Sequence, residues 1–202
     1  MHVLFDFDGV LIDSRDNMAA AWAAIRRRFG VQPTFTDYFA HVGKPFRTIL
    51  SEIGIDARHP EIEKEYAAAS LQNEDKLRVF DGVPEMLDRL RDEGAEIALL
   101  TSKDEERSRR FLELFSLPIN EVYSPSLGLP GKPAPDLFHL AADRWKIHPS
   151  ELWFVGDMPV DRQGAKAAGA RYIHCLWGYG EPNDDVTCAA SPHELLDLLL
   201  RS

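Results

Sequence analysis

The 202-residue sequence predicts an α/β fold, a Rossmann-like parallel sheet with helices on both faces, interrupted by a small all-helical insertion. Three observations carry that prediction. Short apolar runs near residues 3–5, 95–100, 152–155 and 170–175 read as fully buried strands. Stretches with apolar residues at three- and four-residue steps separate them, and that alternation implies a parallel sheet with right-handed crossovers. Between about residue 14 and residue 79 no strand is expected, so this block reads as a helical cap joined near residues 13–15 and 78–82. The expected division is residues 1–13 and 80–202 for the α/β core and 14–79 for the cap.

The elements follow in order. The first strand ends in Asp6, with Asp8 two residues on and Gly9 free to turn the chain. Met18, Trp22, Ile25 and Phe29 mark a helix that Asp13 or Ser14 can start and Gly30 can end. Phe46, Ile49, Leu50 and Ile53 repeat the pattern, and Ile62, Tyr66 and Ala69 give a polar helix a thin apolar side. Pro84 suits the first turn of the next helix, which carries Met86, Leu87 and Leu90. The second strand stops at Thr101-Ser102-Lys103, and a helix with Phe111 and Leu112 follows. A weak strand at 121–123 leads into a turn-rich segment containing Lys132, then a helix bearing Leu137, Phe138 and Ala141. His139 and Trp145 on that helix read as surface and core. The strand at 152–155 ends at Gly156-Asp157, and a helix spans 159–168. Ser191 with Glu194 forms a capping-box pattern before a leucine-rich tail.

The formal charge of −10 argues against a nucleic-acid or anionic-membrane surface. It leaves room for a phosphate site, because one local cation outweighs the global field. No apolar run is long enough to span a bilayer, and the first residues lack the pattern of a secretory signal. Cys175 and Cys188 stand in no metal-like spacing and read as free thiols in a reducing cytosol, and the first strand begins almost at Met1, so a complete, cytoplasmic chain is expected. The oligomeric state stays open between monomer and homodimer.

In an open parallel sheet, ligands bind outside the carboxyl ends of the strands. Those ends deliver Asp6 and Asp8, then Thr101 and Ser102, then Asp157 with Asp161, and Lys132 precedes a helix beside the same edge. In extended backbone, residues two apart project to one side, so Asp6 and Asp8 can address one ligand. Carboxylates so close repel unless a cation or proton lies between them. Each member alone has a plainer reading: Thr101 as a helix cap, Lys132 as a loop lysine, Asp157 and Asp161 as turn and helix-start charges. Together they suit a divalent cation, with hard oxygen ligands selecting Mg2+, and a phosphoryl group.

Asp6-Phe7-Asp8-Gly9-Val10, the strand ending in Thr101, Gly131-Lys132-Pro133-Ala134-Pro135-Asp136 and Gly156-Asp157-Met158-Pro159-Val160-Asp161 resemble the four ordered motifs of the haloacid dehalogenase-like hydrolase superfamily. The resemblance spans essentially the whole chain and is similar to the subfamily with a small helical cap, which includes phosphoglycolate phosphatases and β-phosphoglucomutases. It implies that Asp6 is the nucleophile and a Mg2+ ligand, and that Asp8 is the general acid/base and binds the metal through its backbone carbonyl. It implies that Thr101 and the Ser102 amide bind phosphate, that Lys132 balances charge, that Asp157 ligates the metal and that Asp161 supports Lys132 or a metal-bound water. In the cap, Gly43-Lys44-Pro45-Phe46-Arg47 resembles the substrate-reading loop, with Lys44 or Arg47 as contacts; a turn with solvated charges explains it equally.

Val10 stands where many phosphatases of this kind have threonine and mutases often carry valine, while the Gly-Asp-x-x-x-Asp spacing favours a hydrolase. Asp8 argues against the dehalogenase branch. The expectation is a Mg2+-dependent phosphatase acting on a small phosphate ester, phosphoglycolate-like or a sugar phosphate, through an aspartyl-phosphate. A phosphosugar mutase and a non-catalytic metabolite-binding module are the alternatives.

Overall fold

The computed structural model describes residues 1–56, 60–183 and 185–201. Six parallel strands form the main sheet in the order β5-β4-β1-β6-β7-β8. They are β1 (His2–Phe5), β4 (Glu96–Leu100), β5 (Glu121–Tyr123), β6 (Leu152–Gly156), β7 (Arg171–Cys175) and β8 (Thr187–Ala189). The chain runs outward from β1 to β5, then returns to the other side of β1 and runs outward again to β8. The order therefore reverses at β1, and the crevice between the carboxyl ends of β1 and β6 is the topological switch point.

Side-chain alternation explains the two cores. Val3, Phe5, Leu99, Val155 and Ile173 point to one face, which α5 (Val83–Asp92), α6 (Glu105–Leu114) and α9 (Pro192–Leu200) cover. Leu4, Ala98, Leu100 and Phe154 point to the other, under α7 (Asp136–Trp145) and α8 (Pro159–Ala168). His139 is exposed, and Trp145 packs against this second core.

The helical block has its own core. Met18, Trp22 and Ile25 of α1 (Arg15–Phe29) pack with Tyr38 of α2 (Phe35–Phe39), Ile49 and Leu50 of α3 (Phe46–Glu52), and Ile62 and Tyr66 of α4 (Pro60–Gln72). Trp22 stacks on Tyr38 with ring centroids 4.6 Å apart, and its indole N–H donates to the Pro33 carbonyl.

Three details correct the sequence reading. The chain enters and leaves the helical block through a two-stranded antiparallel ribbon, β2 (Ile12–Asp13) with β3 (Arg78–Val79), where no strand was expected. Strand β8 also escaped notice: it has three residues, and Thr187-Cys188-Ala189 lacks the valine and tyrosine that mark the equally short β5. Ser14 does not cap α1 with its side chain: its hydroxyl donates to Asp8 Oδ1 at 2.5 Å, and Asp13 Oδ1 accepts from the Arg15 N–H. At the far end Gly30 closes the helix in the left-handed conformation, as its lack of a Cβ allows.

Candidate active site

Strand β1 ends at Phe5, and the Asp6 N–H still donates to the Val155 carbonyl of β6 at 2.8 Å. Backbone pairing thus carries the first carboxylate into the switch-point crevice, where it is 3% exposed. Gly9 then turns the chain at φ +88°, and a Cβ there would lie 2.2 Å from Asp157 Oδ2. Glycine is required on both counts.

Lys132, from the segment between β5 and α7, is fully buried. Its ammonium lies 2.7 Å from Asp6 Oδ1 and 2.7 Å from Asp161 Oδ1. Asp161 sits in the first turn of α8, and its Oδ2 accepts from the Asp157 and Met158 N–H groups. That bond lets a carboxylate satisfy a helix N-terminus while its other oxygen faces Lys132. Asp157 follows β6, and its Oδ2 accepts from the Tyr179 N–H at 2.7 Å. Its Oδ1 is buried with no hydrogen-bond partner among the described residues.

Asp6, Asp157 and Asp161 bring one carboxylate oxygen each within 4.8 Å of one another. Three buried carboxylates face one ammonium, which leaves two negative charges without local balance. Burial pushes the Asp6 carboxyl up, Lys132 pulls it down, and Asp161 and Asp8 push it up again, to about 7. Burial first, then Asp161 and Asp6, push Asp157 well above the usual carboxylate range. Burial works against the Lys132 ammonium, but Asp161 and Asp6 outweigh it and raise its pKa. An excess of two charges, oxygen donors and an orphaned buried Oδ1 are what a divalent hard cation satisfies. The residues therefore fit Mg2+.

Asp8 lies across from this cluster. Its Oδ1 accepts the Ser14 hydroxyl, and its Oδ2 is 3.2 Å from the Lys103 ammonium. Lys103 is buried, and burial lowers its pKa despite Asp8. Thr101 and Ser102 leave the end of β4. Thr101 Oγ1 accepts from the Lys103 N–H, and the Ser102 hydroxyl donates to the Gly43 carbonyl of the helical block at 2.6 Å. A cavity of about 50 Å³ remains between the strand ends and the helices, lined by Asp6, Asp8, Thr101, Ser102, Lys103 and Arg107 from below. Tyr38, Gly43, Lys44 and Tyr66 close it from above.

The structure thus gathers Asp6, Asp157, Asp161 and Lys132 into one contact cluster, and Asp6 shares the cavity with Asp8, Thr101 and Ser102. The cap-loop residues separate. Lys44 lines the cavity, yet its ammonium is held by both oxygens of Glu52. Arg47 points away, 64% exposed and paired with Glu63, outside the cavity lining. Sequence reasoning passed over Lys103, Arg107, Tyr38, Tyr66 and Ser14. Lys103 carried a signal, since it directly follows a polar pair at a strand end.

Comparison with known proteins agrees with this geometry. The haloacid dehalogenase-like hydrolase family model matches residues 3–175. A phosphoglycolate phosphatase of Aquifex aeolicus is 25% identical over 203 residues, covering 98% of this chain and 95% of its own. The tyrosine-protein kinase PtkA of Mycobacterium tuberculosis is 31% identical over 209 residues, covering 98% of this chain and 72% of its own. The crystal structure of a hydrolase from Pseudomonas syringae superposes with a TM-score of 0.86 at 22% identity, over 100% of this chain and 98% of that one, a likeness of fold alone. With the family model matching most of its length and the site set at the carboxyl ends of its parallel strands, the chain belongs to the haloacid dehalogenase-like hydrolases.

Proposed function

We propose that this protein is a Mg2+-dependent phosphatase of small phosphate esters, working through an aspartyl-phosphate on Asp6. The observation that carries the reading is the buried Asp6–Lys132–Asp161–Asp157 cluster at the switch point, with Asp8 facing it across a small cavity. The relatives' names support phosphoryl chemistry, including a phosphoglycolate phosphatase and an N-acetylmuramic acid 6-phosphate phosphatase. Asp6, Asp157 and the Asp8 backbone carbonyl would hold the metal, which when bound shields the phosphoryl group from the carboxylates and aligns it.

The chain's own residues do the rest. An Asp6 carboxylate oxygen attacks phosphorus as the bond to the leaving oxygen breaks. Asp8, as the general acid, gives that oxygen its proton. Lys103 then stands beside the Asp8 carboxylate and stabilises its charge. Water next attacks the acyl phosphate, Asp8 takes the water's proton, and the phosphorus–Asp6 bond breaks to restore the carboxylate. Lys132 holds Asp6 in place and offsets the charge that gathers there. Thr101 and the Ser102 amide receive the phosphoryl oxygens.

In this reading residues 14–79 are a cap over the core of residues 1–13 and 80–202, hinged at the β2–β3 ribbon. The Ser102–Gly43 bond is then a contact of the closed state. Two free thiols favour a reducing cytosol, and among the described residues no helix is long and apolar enough to cross a membrane.

The test is a panel of phosphate monoesters with Mg2+, reading both phosphate release and isomer formation. Release is expected to require the metal and to fall at least ~1000-fold in Asp6→Asn, with an unchanged circular dichroism spectrum. Substantial Mg2+-dependent release by Asp6→Asn would falsify the covalent route, and isomer formation outpacing release would make the enzyme a mutase.

A further inference from the structure

We propose that Arg107 is a specificity-determining residue that receives a second anionic group of the substrate, beyond the phosphoryl group that Asp6 takes. The proposal rests on the phosphatase reading above and deepens it. Arg107 lies in the first turn of α6 and is only 7% exposed, yet it lines the cavity that holds Asp6 and Asp8. Its Nε donates to Asp104 Oδ2 at 2.5 Å. Its Nη1 is buried and has no hydrogen-bond partner among the described residues.

A buried guanidinium N–H without an acceptor is unfavourable, and native proteins retain one where a ligand completes it. Arginine presents a planar fork of donors that matches two oxygens of a carboxylate or phosphoryl group. The other cations lining the cavity are engaged, Lys103 with Asp8 and Lys44 with Glu52, and Lys132 close by is held by Asp6 and Asp161. The Arg107 backbone N–H donates to Asp104 Oδ1, and its guanidinium reaches Asp104 through Nε, leaving Nη1 for a ligand. The Tyr66 ring lies beneath it, with the guanidinium carbon 5.3 Å from the ring centroid, and Tyr66 in turn accepts the Tyr38 hydroxyl hydrogen bond. This packing fixes the fork at the cavity wall. Arg107 and Asp6 line one small cavity, so both anions are expected on one small molecule.

Three probes decide the matter. 2-Phosphoglycolate is the smallest monoester with a carboxylate, 2-hydroxyethyl phosphate replaces that carboxylate by a hydroxymethyl group, and pyrophosphate carries a second phosphoryl group. Wild-type kcat/KM is expected to favour at least one anionic probe over the neutral ester by roughly ten- to a hundredfold, the range of a charge-assisted hydrogen bond; which anion wins identifies its chemistry. Arg107→Gln should lower kcat/KM on the anionic probes, through KM, at least tenfold more than on the neutral ester, and Arg107→Lys should restore part of it. Absence of preference in the wild type, or an equal loss on all probes in Arg107→Gln, overturns the assignment. Binding to Asp6→Asn by calorimetry separates this from the catalytic reading. If no probe releases phosphate but Arg107→Gln still weakens anionic-probe binding tenfold in that background, the phosphatase reading fails and the Arg107 assignment stands. Unchanged binding overturns the assignment whatever the turnover.

Discussion

Lys132 shows most sharply how one residue changes meaning between sequence and structure. In the sequence it is a lysine in a Gly-Lys-Pro turn; in the fold it is fully buried between Asp6 and Asp161. Removing one partner of a buried ion pair leaves an uncompensated charge and costs about 3–5 kcal/mol. Lys132→Met is expected to lose that much stability in urea unfolding with chelator present, and to lose turnover with Mg2+ present. A variant as stable as wild type would show that the pair carries no such load. Asp6, Asp8 and Asp157 were legible because each closes or follows an apolar run, where a charge is conspicuous. Arg107 was not, because it stands among charges from Lys103 to Arg110 and nothing local says which arginine turns inward. The faint clue is its place four residues before buried Phe111, on the same side of the helix. Asp104 shares its fate: burial works to raise its carboxyl, but Arg107 outweighs that and holds it below the usual range. Stability from this bond is therefore complete above the ordinary aspartate pKa and fades as pH falls through the depressed value.

Among the elements, those with several turns or a clear apolar run were legible, and the short ones were not. Helix α8 is found at Pro159–Ala168, the expected span, since Pro159 and Gly169 punctuate it on both sides. The β2–β3 ribbon has two residues per strand, too few for any period, and it forms because the chain must enter and leave the helical block side by side. The loop before α3 makes the closest approach to the core. Gly43 has φ +96°, and a Cβ there would lie 2.7 Å from Val160 Cγ2. Gly43→Ala strains this closed arrangement by ~1–3 kcal/mol. Its kcat/KM should fall about tenfold or more, with a smaller change in unfolding midpoint than in activity. Unaltered kinetics would mean that the loop need not sit where the structure puts it.

For the whole molecule, the site lies at the junction of two separately packed bodies. The helical block meets the rest of the chain through the Ser102–Gly43 and Ser14–Asp8 bonds, the Arg110–Glu74 ion pair, the Arg107 guanidinium over the Tyr66 ring, and Tyr179, whose hydroxyl accepts the Ser14 N–H and donates to Asp13 Oδ1 and whose ring packs edge-on against Phe39. Set against the large cores on either side, ties of this kind suit a joint that opens and closes. Solution X-ray scattering should show the radius of gyration falling when Mg2+ and orthovanadate are added to the ligand-free protein. An identical radius in both states would count against the hinge. Stripping the metal with chelator should abolish turnover and restore the wider form.

The sequence by itself determined the α/β class, the helical insertion and the acidic and basic residues of the strand ends. Apolar runs, periodic spacing and Gly/Pro punctuation are local, and local signals survive without the fold. Only the tertiary structure decided which charges meet. Lys132 reaches Asp161 across 29 positions of sequence, Ser102 meets Gly43 across 59, and Arg107, in the cavity lining, is left with a buried donor. Such pairings depend on which strand ends the sheet order brings side by side and on where the helical block lies over them, and both are properties of the packed chain rather than of any segment in it.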